Sequence, residues 1–479
     1  MGADFSASIY ERALYQPYKT HLMRNTSEII AGVTTKADRI VHQTVIPLLR
    51  IVSSVIILVA VLYVLFKIEP LVTVIVIASF AATYSLIAYF TRQSVMNSSS
   101  LISKQEVLVI KLLQEAFGGI RDVIINQTQK LHSVMYRTAN WHLRRAHSSI
   151  DIVSASPKYL VETFGMIIIS VIAYLFASRP EGLNTAIPLI GMLALAMQRT
   201  LPLLQQTYSS WIIVRGGQAG FWDALKLLDQ PLPSYVDRPS QTSLEFRHEI
   251  TLDGISFSYS KAQPRVLDNL NITIPNNSRI GFIGSTGSGK TTLLDIIMGL
   301  LSPTEGTLRV DGKIINYENC EAWQSNIAHV PQSIFLADTS ITENIAFGTR
   351  IEEIDQDRVR EAAQKAQIAD VIEEWPNAYD TIVGERGIRL SGGQRQRIGI
   401  ARALYKKTNI IIFDEATSAL DTITEQLVMN SINNLSKEIT LLIVAHRMTT
   451  LASCSQVVEL SDGKIKRIGS YKQIVDIEN

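Results

Sequence analysis

The residues best suited to chemistry lie in Gly284-Ser285-Thr286-Gly287-Ser288-Gly289-Lys290-Thr291, a match to GxxxxGK[ST] directly after the apolar run Arg279–Ile283. Glycines let a backbone curl until several amide groups point inward at phosphate oxygens. A helix expected over Thr291–Leu300 adds its positive end. Lys290 has the reach for β- and γ-phosphates, the Thr291 hydroxyl suits Mg²⁺, and Thr292 follows at the mouth of the same loop. The pattern is that of a polyphosphate site.

Two further stretches complete it. Asn409-Ile410-Ile411-Ile412-Phe413 reads as a buried strand ending in Asp414-Glu415. A carboxylate at that strand end holds magnesium, which suits Asp414, and the next one, Glu415, polarises an attacking water. Between the two lies Leu390-Ser391-Gly392-Gly393-Gln394, followed by Arg395–Leu404. Physically this is a serine–glycine turn opening a basic amphipathic helix, a second place for an anion.

With LSGGQ in that position, this part of the chain resembles the nucleotide-binding domain of the ATP-binding cassette (ABC) family. The resemblance implies ATP and Mg²⁺ as cofactors and assigns further positions. Tyr259 is similar to the aromatic residue that stacks on adenine. Gln332, in Val330-Pro331-Gln332, is similar to the glutamine that senses magnesium and couples to the membrane part. Asp421, ending Ser418-Ala419-Leu420-Asp421, is similar to a residue at the dimer interface. His446, after Leu441–Ala445, is similar to the histidine that contacts the γ-phosphate. The resemblance also implies a head-to-tail dimer. The phosphate loop of one copy faces Ser391, Gly392, Gly393 and Gln394 of another, with ATP clasped between. A homodimer then has two competent sites, and a heterodimer is compatible with the same geometry.

These residues need elements to hold them. At 479 residues the chain is too long for one ordinary core. Its 47% hydrophobic and 19% charged residues average over two unlike halves. Four runs in the first half, Val45–Phe66, Leu71–Phe90, Tyr159–Ser178 and Leu183–Leu204, have the roughly 20 apolar residues that cross a bilayer as helix. Lys67-Ile68-Glu69-Pro70 and Arg179-Pro180-Glu181-Gly182 are tight connections within the pairs. The polar stretch 91–158 carries the lysines and arginines, including Arg92, Lys104, Lys111, Arg121, Arg144 and Arg145, so it is expected on the cytoplasmic side. It is expected to form two long helices over Thr91–Trp141, with a turn at Gly118–Val123. The resemblance to the ABC family further implies short coupling helices at that turn and near Tyr15–Arg24, docking beside Gln332.

The expected fold is thus an α-helical transmembrane bundle followed by an α/β P-loop nucleotide-binding domain. The expected boundaries are a membrane domain over 1–228, a linker over 229–248 and an ATPase domain over 249–479. A formal net charge of +1 gives no reason to expect nucleic acid as a partner. Cys320 and Cys454 lack metal spacing and fit a reduced cytosolic compartment. Met1–Thr44 lacks the apolar core and cleavage site of a secretory leader.

A membrane part placed before its ATPase resembles the exporters of the family, an integral protein of the bacterial inner membrane with a cytoplasmic ATPase. Exporter halves usually carry six spans. The four here match the last four, so two spans are expected to be missing from this chain. Asn25–Ile30, Phe117–Asp122, Pro157–Glu162 and the placement of Arg199 are similar to flippases of lipid-linked oligosaccharides and related lipid exporters. Arg199, deep in the last run, is the candidate substrate residue, its cation suited to a pyrophosphate headgroup. Drug or peptide export is the alternative within the class. An ATP-gated channel or regulator is the alternative outside it.

Overall fold

A computed structural model of the chain describes residues 2–68, 70–177, 182–233, 236, 243–260, 262–416, 419–433, 439–445 and 448–475. It divides into two compact units: Met1–Gln16 with Thr20–Leu232, and Pro17–Lys19 with Pro233–Asn479.

The first unit is helical. Its elements include α1 (Gly2–Leu14), α2 (Tyr18–Met23, whose first two residues group with the second unit), α3 (Thr26–Ala31) and α4 (Ala37–Arg39). Then follow α5 (Ile46–Ile68), α6 (Pro70–Gly118), α7 (Ile120–Ile125), α8 (Gln129–Ala155), α9 (Pro157–Ala177) and α10 (Gly182–Leu228). Apart from charges near their ends (Arg50 and Lys67 on α5, Lys158 and Glu162 on α9), helices α5 and α9 are apolar in sequence, as a helix in lipid is. The stretch Thr26–Ile68 and the segment Thr73–Gly118 are each long and apolar enough to cross a membrane.

Where separate elements were expected below the bilayer, the structure runs on without a break. Helix α6 spans 49 residues, about 74 Å, and α10 spans 47, about 70 Å. No glycine or proline lies between Leu71 and Phe117, so nothing ends α6 when it turns polar at Thr91. It stops at Gly118-Gly119, and α7 occupies the expected turn. Helix α8 passes Trp141 and reaches Ala155. Glu69 of the first tight connection and Arg179–Glu181 of the second lie outside the described residues.

Two π-helical turns, Gly32–Lys36 and Ile40–Val45, flank α4. There the buried Lys36 Nζ lies 2.8 Å from Asp223 on α10, and Ser103 on α6 donates to the same carboxylate. Arg39 pairs with the buried Glu106 of α6. Buried charges persist only when paired, so these contacts fix the wide turns against α6 and α10.

The second unit is α/β. In chain order it contains β1 (Glu249–Phe257), β2 (Leu267–Pro275), β3 (Arg279–Ile283), α11 (Lys290–Ile297), β4 (Glu305–Val310), β5 (Lys313–Ile314), α12 (Cys320–Gln324) and β6 (Ile327–Val330). After these come α13 (Ile341–Ile345), α14 (Gln356–Lys365), α15 (Ala369–Glu373), α16 (Gly392–Tyr405), β7 (Ile410–Asp414), α17 (Thr422–Asn433), β8 (Thr440–Val444), β9 (Gln456–Ser461), β10 (Lys464–Gly469) and α18 (Tyr471–Val475). An antiparallel sheet has the order β2-β1-β4-β5, and a larger sheet the order β10-β9-β3-β8-β7-β6. Strands β9, β3, β8, β7 and β6 pair in parallel, and β10 closes the edge antiparallel. Strands buried on both faces read as unbroken apolar runs, which explains Ile410–Phe413 and Leu441–Val444. One core lies around α11 between the sheets, and another packs α13–α17 on the far face of the parallel sheet.

Helix α11 ends three residues before the expected Leu300. Gly299 takes φ +68° there, and Leu300 N–H turns back to Asp295 O at 2.9 Å, a left-handed stop suited to glycine.

His329, on β6, carries a prediction about stability. Its Nε2 is buried without a hydrogen-bond partner among the described residues, and burial pushes its pKa down to about 4. The folded state then holds the imidazole neutral while the unfolded chain takes a proton near pH 6.5. Its contribution is complete above pH 6.5 and is lost as pH falls toward 4, amounting to no more than about 3 kcal/mol. Thermal unfolding of His329→Phe should therefore lose less stability than wild type between pH 6.5 and 4. Parallel losses would contradict the assignment.

Candidate active site

Strand β3 delivers the chain into the loop 284–289, and α11 receives it. Gly284 has φ +146°, and a Cβ there would sit 2.2 Å from Leu460 O. Gly289 has φ +99°, and a Cβ there would meet Leu267 Cδ2 at 2.6 Å. Any side chain at either position would both strain the backbone and push the loop off its sheet. Lys290 is buried, and its Nζ donates to Gly284 O at 2.8 Å and Ser285 O at 2.9 Å, folded over its own loop. Ser288 Oγ is buried without a partner among the described residues, a hydroxyl awaiting an acceptor such as a phosphate oxygen.

The carboxylates arrive from the neighbouring strands. Asp414 closes β7, is buried, and receives a hydrogen bond from the Thr291 side chain. Burial and the adjacent Glu415 raise its pKa, while Thr291 and Lys290 pull it back. Glu415 adopts φ +51°, uncommon for a residue with a side chain, and its N–H donates to Val444 O at 3.0 Å. That hydrogen bond anchors the strained residue to β8. Its carboxylate accepts from Gln332 Nε2 at 2.6 Å. The structure thus brings Thr291, Asp414, Glu415 and Gln332 together at the C-terminal ends of parallel strands, where open α/β sheets hold ligands.

Tyr259 lies beside the start of α11. Its hydroxyl lies 3.1 Å from Thr292 Oγ1, and its ring meets Phe257 edge-on at 5.0 Å between centroids. The LSGGQ stretch forms the start of α16. Ser391 Oγ accepts from Gln394 N–H at 3.2 Å, and Gln394 Oε1 accepts from Ser391 N–H at 2.8 Å. This reciprocal capping box leaves the amides of Gly392 and Gly393 at the open end of a 14-residue helix. Ala419 N–H donates to Gln396 Oε1 at 3.0 Å, joining this helix to the stretch that ends in Asp421. Asp421 itself caps α17 by accepting from Thr424 N–H at 3.0 Å. His446 and Ser418 lie outside the described residues.

Three features escaped the reading of residues alone. Asp295, a single acid within an apolar helix, is buried near Asp414, and burial and that charge push its pKa up to about 6. Only its isolation in Thr291–Ile297 hinted at it. Lys19 Nζ donates to Ser258 O at 3.4 Å and lies over the Phe257 ring at 5.4 Å, so Pro17–Lys19 border the Tyr259 region. The third is the hydrogen bond between Gln332 and Glu415.

In the first unit, residues of α5, α6, α9 and α10 line a half-open cavity of about 520 Å³. Its wall is apolar, with Leu58, Ile77, Phe80 and Met197 among its members, and holds no charged side chain. Tyr84, Tyr208 and Trp211 gather at one end, with ring centroids 5.2 and 6.4 Å apart in sequence. Ala196, Met197 and Thr200 of α10 face the cavity, whereas Arg199 is exposed and outside its wall.

Comparison with known proteins agrees with this architecture. The family model for the ABC transporter matches residues 267–418. The heterocyst differentiation ATP-binding protein HepA of Nostoc sp. is 30% identical over 457 residues, covering 94% of this chain and 73% of that protein. An ATP-dependent lipid A-core flippase of Alkalilimnicola ehrlichii is 29% identical over 490 residues, covering 99% of this chain and 80% of that protein. A solved structure of a bacterial Atm1-family ABC exporter with ATP bound shares the fold. Its TM-score is 0.85 at 24% identity, over all of this chain and 83% of the other. A helical membrane unit joined to a phosphate-loop ATPase unit, with these likenesses over almost its whole length, means that the chain belongs to the ABC transporter family, as an exporter half-transporter that hydrolyses ATP to drive transport.

Proposed function

We propose that the chain works as a homodimer that moves a lipid-linked oligosaccharide, a lipid or a related amphiphile across or between membrane leaflets. The observation that carries this reading is the uncharged cavity of about 520 Å³ between α5, α6, α9 and α10, which suits an apolar chain better than a soluble solute. The likeness to lipid A-core flippases supports the same substrate class. The basic polar stretch below the helices supports a cytoplasmic ATPase unit, in a bacterial inner membrane.

At the nucleotide site, Gly284–Gly289 cradle the phosphates, Lys290 neutralises them and Tyr259 packs on the base. Thr291 and Asp414, an oxygen donor pair already in contact, suit Mg²⁺ with Gln332 beside them, and the ion would offset phosphate charge. Glu415 accepts the proton of the attacking water, and His446 steadies the γ-phosphate. Ser391, Gly392, Gly393 and Gln394 of a second copy close over the same nucleotide, with Asp421 at the seam. The amide-bearing opening of α16 supports that role, because it offers its positive end to an anion.

Reconstitution into sealed vesicles tests the transport reading. ATP should drive movement of at least one amphiphile from a panel of lipid-linked sugars, phospholipids and apolar drugs, and that compound should stimulate ATPase activity. Steady ATP hydrolysis with ion conduction and no movement of any amphiphile would refute it.

A further inference from the structure

We infer that the cavity of the helical unit takes the apolar part of an amphiphile whose headgroup is anionic, and that Arg92 and Arg215 bind this headgroup. The inference rests on the export reading above and names its substrate class. Along α6 the cavity wall runs from Thr73 to Ala88, about 22 Å of helix, so the space is elongated as an acyl or polyprenyl chain is. The wall carries no charge, so a charged group must lie beyond its end.

The structure provides a cationic place at one end. Trp211 lines both the cavity and an adjoining recess of about 20 Å³ formed with Arg92, Val95, Met96, Ile212 and Arg215. Arg92 stands one helical turn past Ala88 on α6, and Arg215 one turn past Trp211 on α10, so each follows the last wall residue of its helix. Val95 and Ile212 are buried, which fixes the backbone between the two arginines. Arg215 Cζ lies 5.6 Å from the Trp211 ring centroid, and its Nη1 donates to Gln218 Oε1 only at the 3.5 Å limit. Neither guanidinium meets a carboxylate within 4.0 Å among the described residues. A guanidinium beside an indole and without a carboxylate partner keeps N–H groups for a bidentate phosphate or carboxylate. An elongated, uncharged cavity with two uncompensated guanidinium groups at one end is complementary to a long apolar tail bearing an anion.

The test uses the full chain in nanodiscs of phosphatidylcholine. Three probes are compared in equilibrium binding: dioleoyl phosphatidic acid, dioleoylglycerol with the same chains and no anion, and glycerol 3-phosphate with the anion and no chains. Phosphatidic acid should bind at least about tenfold more tightly than dioleoylglycerol. Glycerol 3-phosphate should not compete at matched concentration. Arg92→Ala/Arg215→Ala should bring the two lipids to near-equal binding with ATP binding unchanged, and Arg92→Lys/Arg215→Lys should keep most of the preference. Ala81→Trp, which fills the wall, should weaken both lipids. Wild type without a preference, a preference that survives the double alanine change, or competition by glycerol 3-phosphate would overturn the assignment. Phosphatidic acid binding undiminished in Ala81→Trp would also overturn it, because the lipid would then sit at the surface alone. If neither lipid binds wild type, the export of amphiphiles itself is refuted, not only the headgroup site.

Discussion

Glu415→Gln should lower steady-state ATP turnover by about 10²–10³-fold, equivalent to roughly 3–4 kcal/mol of transition-state stabilisation, while leaving ATP binding intact. The substitution removes only the capacity to take a proton. Glutamine has nearly the same shape, accepts the same φ of +51°, and keeps the N–H bond to Val444 O. Its amide oxygen remains an acceptor for Gln332 Nε2, which now lies 2.6 Å from the Glu415 carboxylate. Folding should therefore be unaffected, with a melting temperature close to wild type. If, as proposed, ATP closes paired sites and hydrolysis reopens them, the variant should accumulate as an ATP-bound closed dimer. Single-turnover hydrolysis together with size measurement in detergent checks both effects. Full-rate hydrolysis by Glu415→Gln would mean that another group handles the proton, and the assignment of Glu415 would fail.

Lys290→Ala should act earlier in the cycle and reduce hydrolysis to background by removing the cation proposed to meet the phosphates. The buried Nζ bonds to Gly284 O and Ser285 O, so the lysine also holds the loop in shape. Losing a charge-assisted contact to a polyphosphate costs roughly 1.5–3 kcal/mol, or about 10–100-fold in affinity. Equilibrium binding of a fluorescent ATP analogue measures this loss directly. Wild-type affinity in Lys290→Ala would contradict the phosphate assignment. The two variants separate binding from chemistry, because only Lys290→Ala should lose nucleotide.

The parts of this site that could be read from residues are those where backbone geometry dictates residue type. Gly284 and Gly289 occupy φ values and approaches that a Cβ would block, so the loop advertises itself. Ile410–Phe413 is unbroken and apolar because β7 is covered on both faces, and the acids after it had to lie at a strand end. What stayed hidden depends on tertiary neighbours. Nothing local requires Gln332 to bond Glu415, or isolates Asp295 beside Asp414. In the helical unit, apolar runs reveal their length and little about which faces meet. Arg199 stood out as a charge, yet it is Thr200, one residue on, that lines the cavity. The π-helical turns at Gly32–Lys36 and Ile40–Val45 were also hidden, since Lys36, Arg39, Glu106 and Asp223 pair only after the helices pack.

In the proposed dimer, each ATP is held by the phosphate loop of one copy and the Ser391–Gln394 turn of its mate. Co-assembly of two defective chains tests it most directly. Lys290→Ala and Ser391→Ala homodimers should each be nearly inactive in ATP hydrolysis. Ser391→Ala should still fold, since losing its helix cap costs only about 1 kcal/mol. In a mixed dimer one site inherits both defects and the other inherits neither, so purified mixed dimers should hydrolyse ATP well above either parent. Mixed dimers no more active than the parents would show that both groups serve the nucleotide of their own chain, and the paired-site account would be wrong.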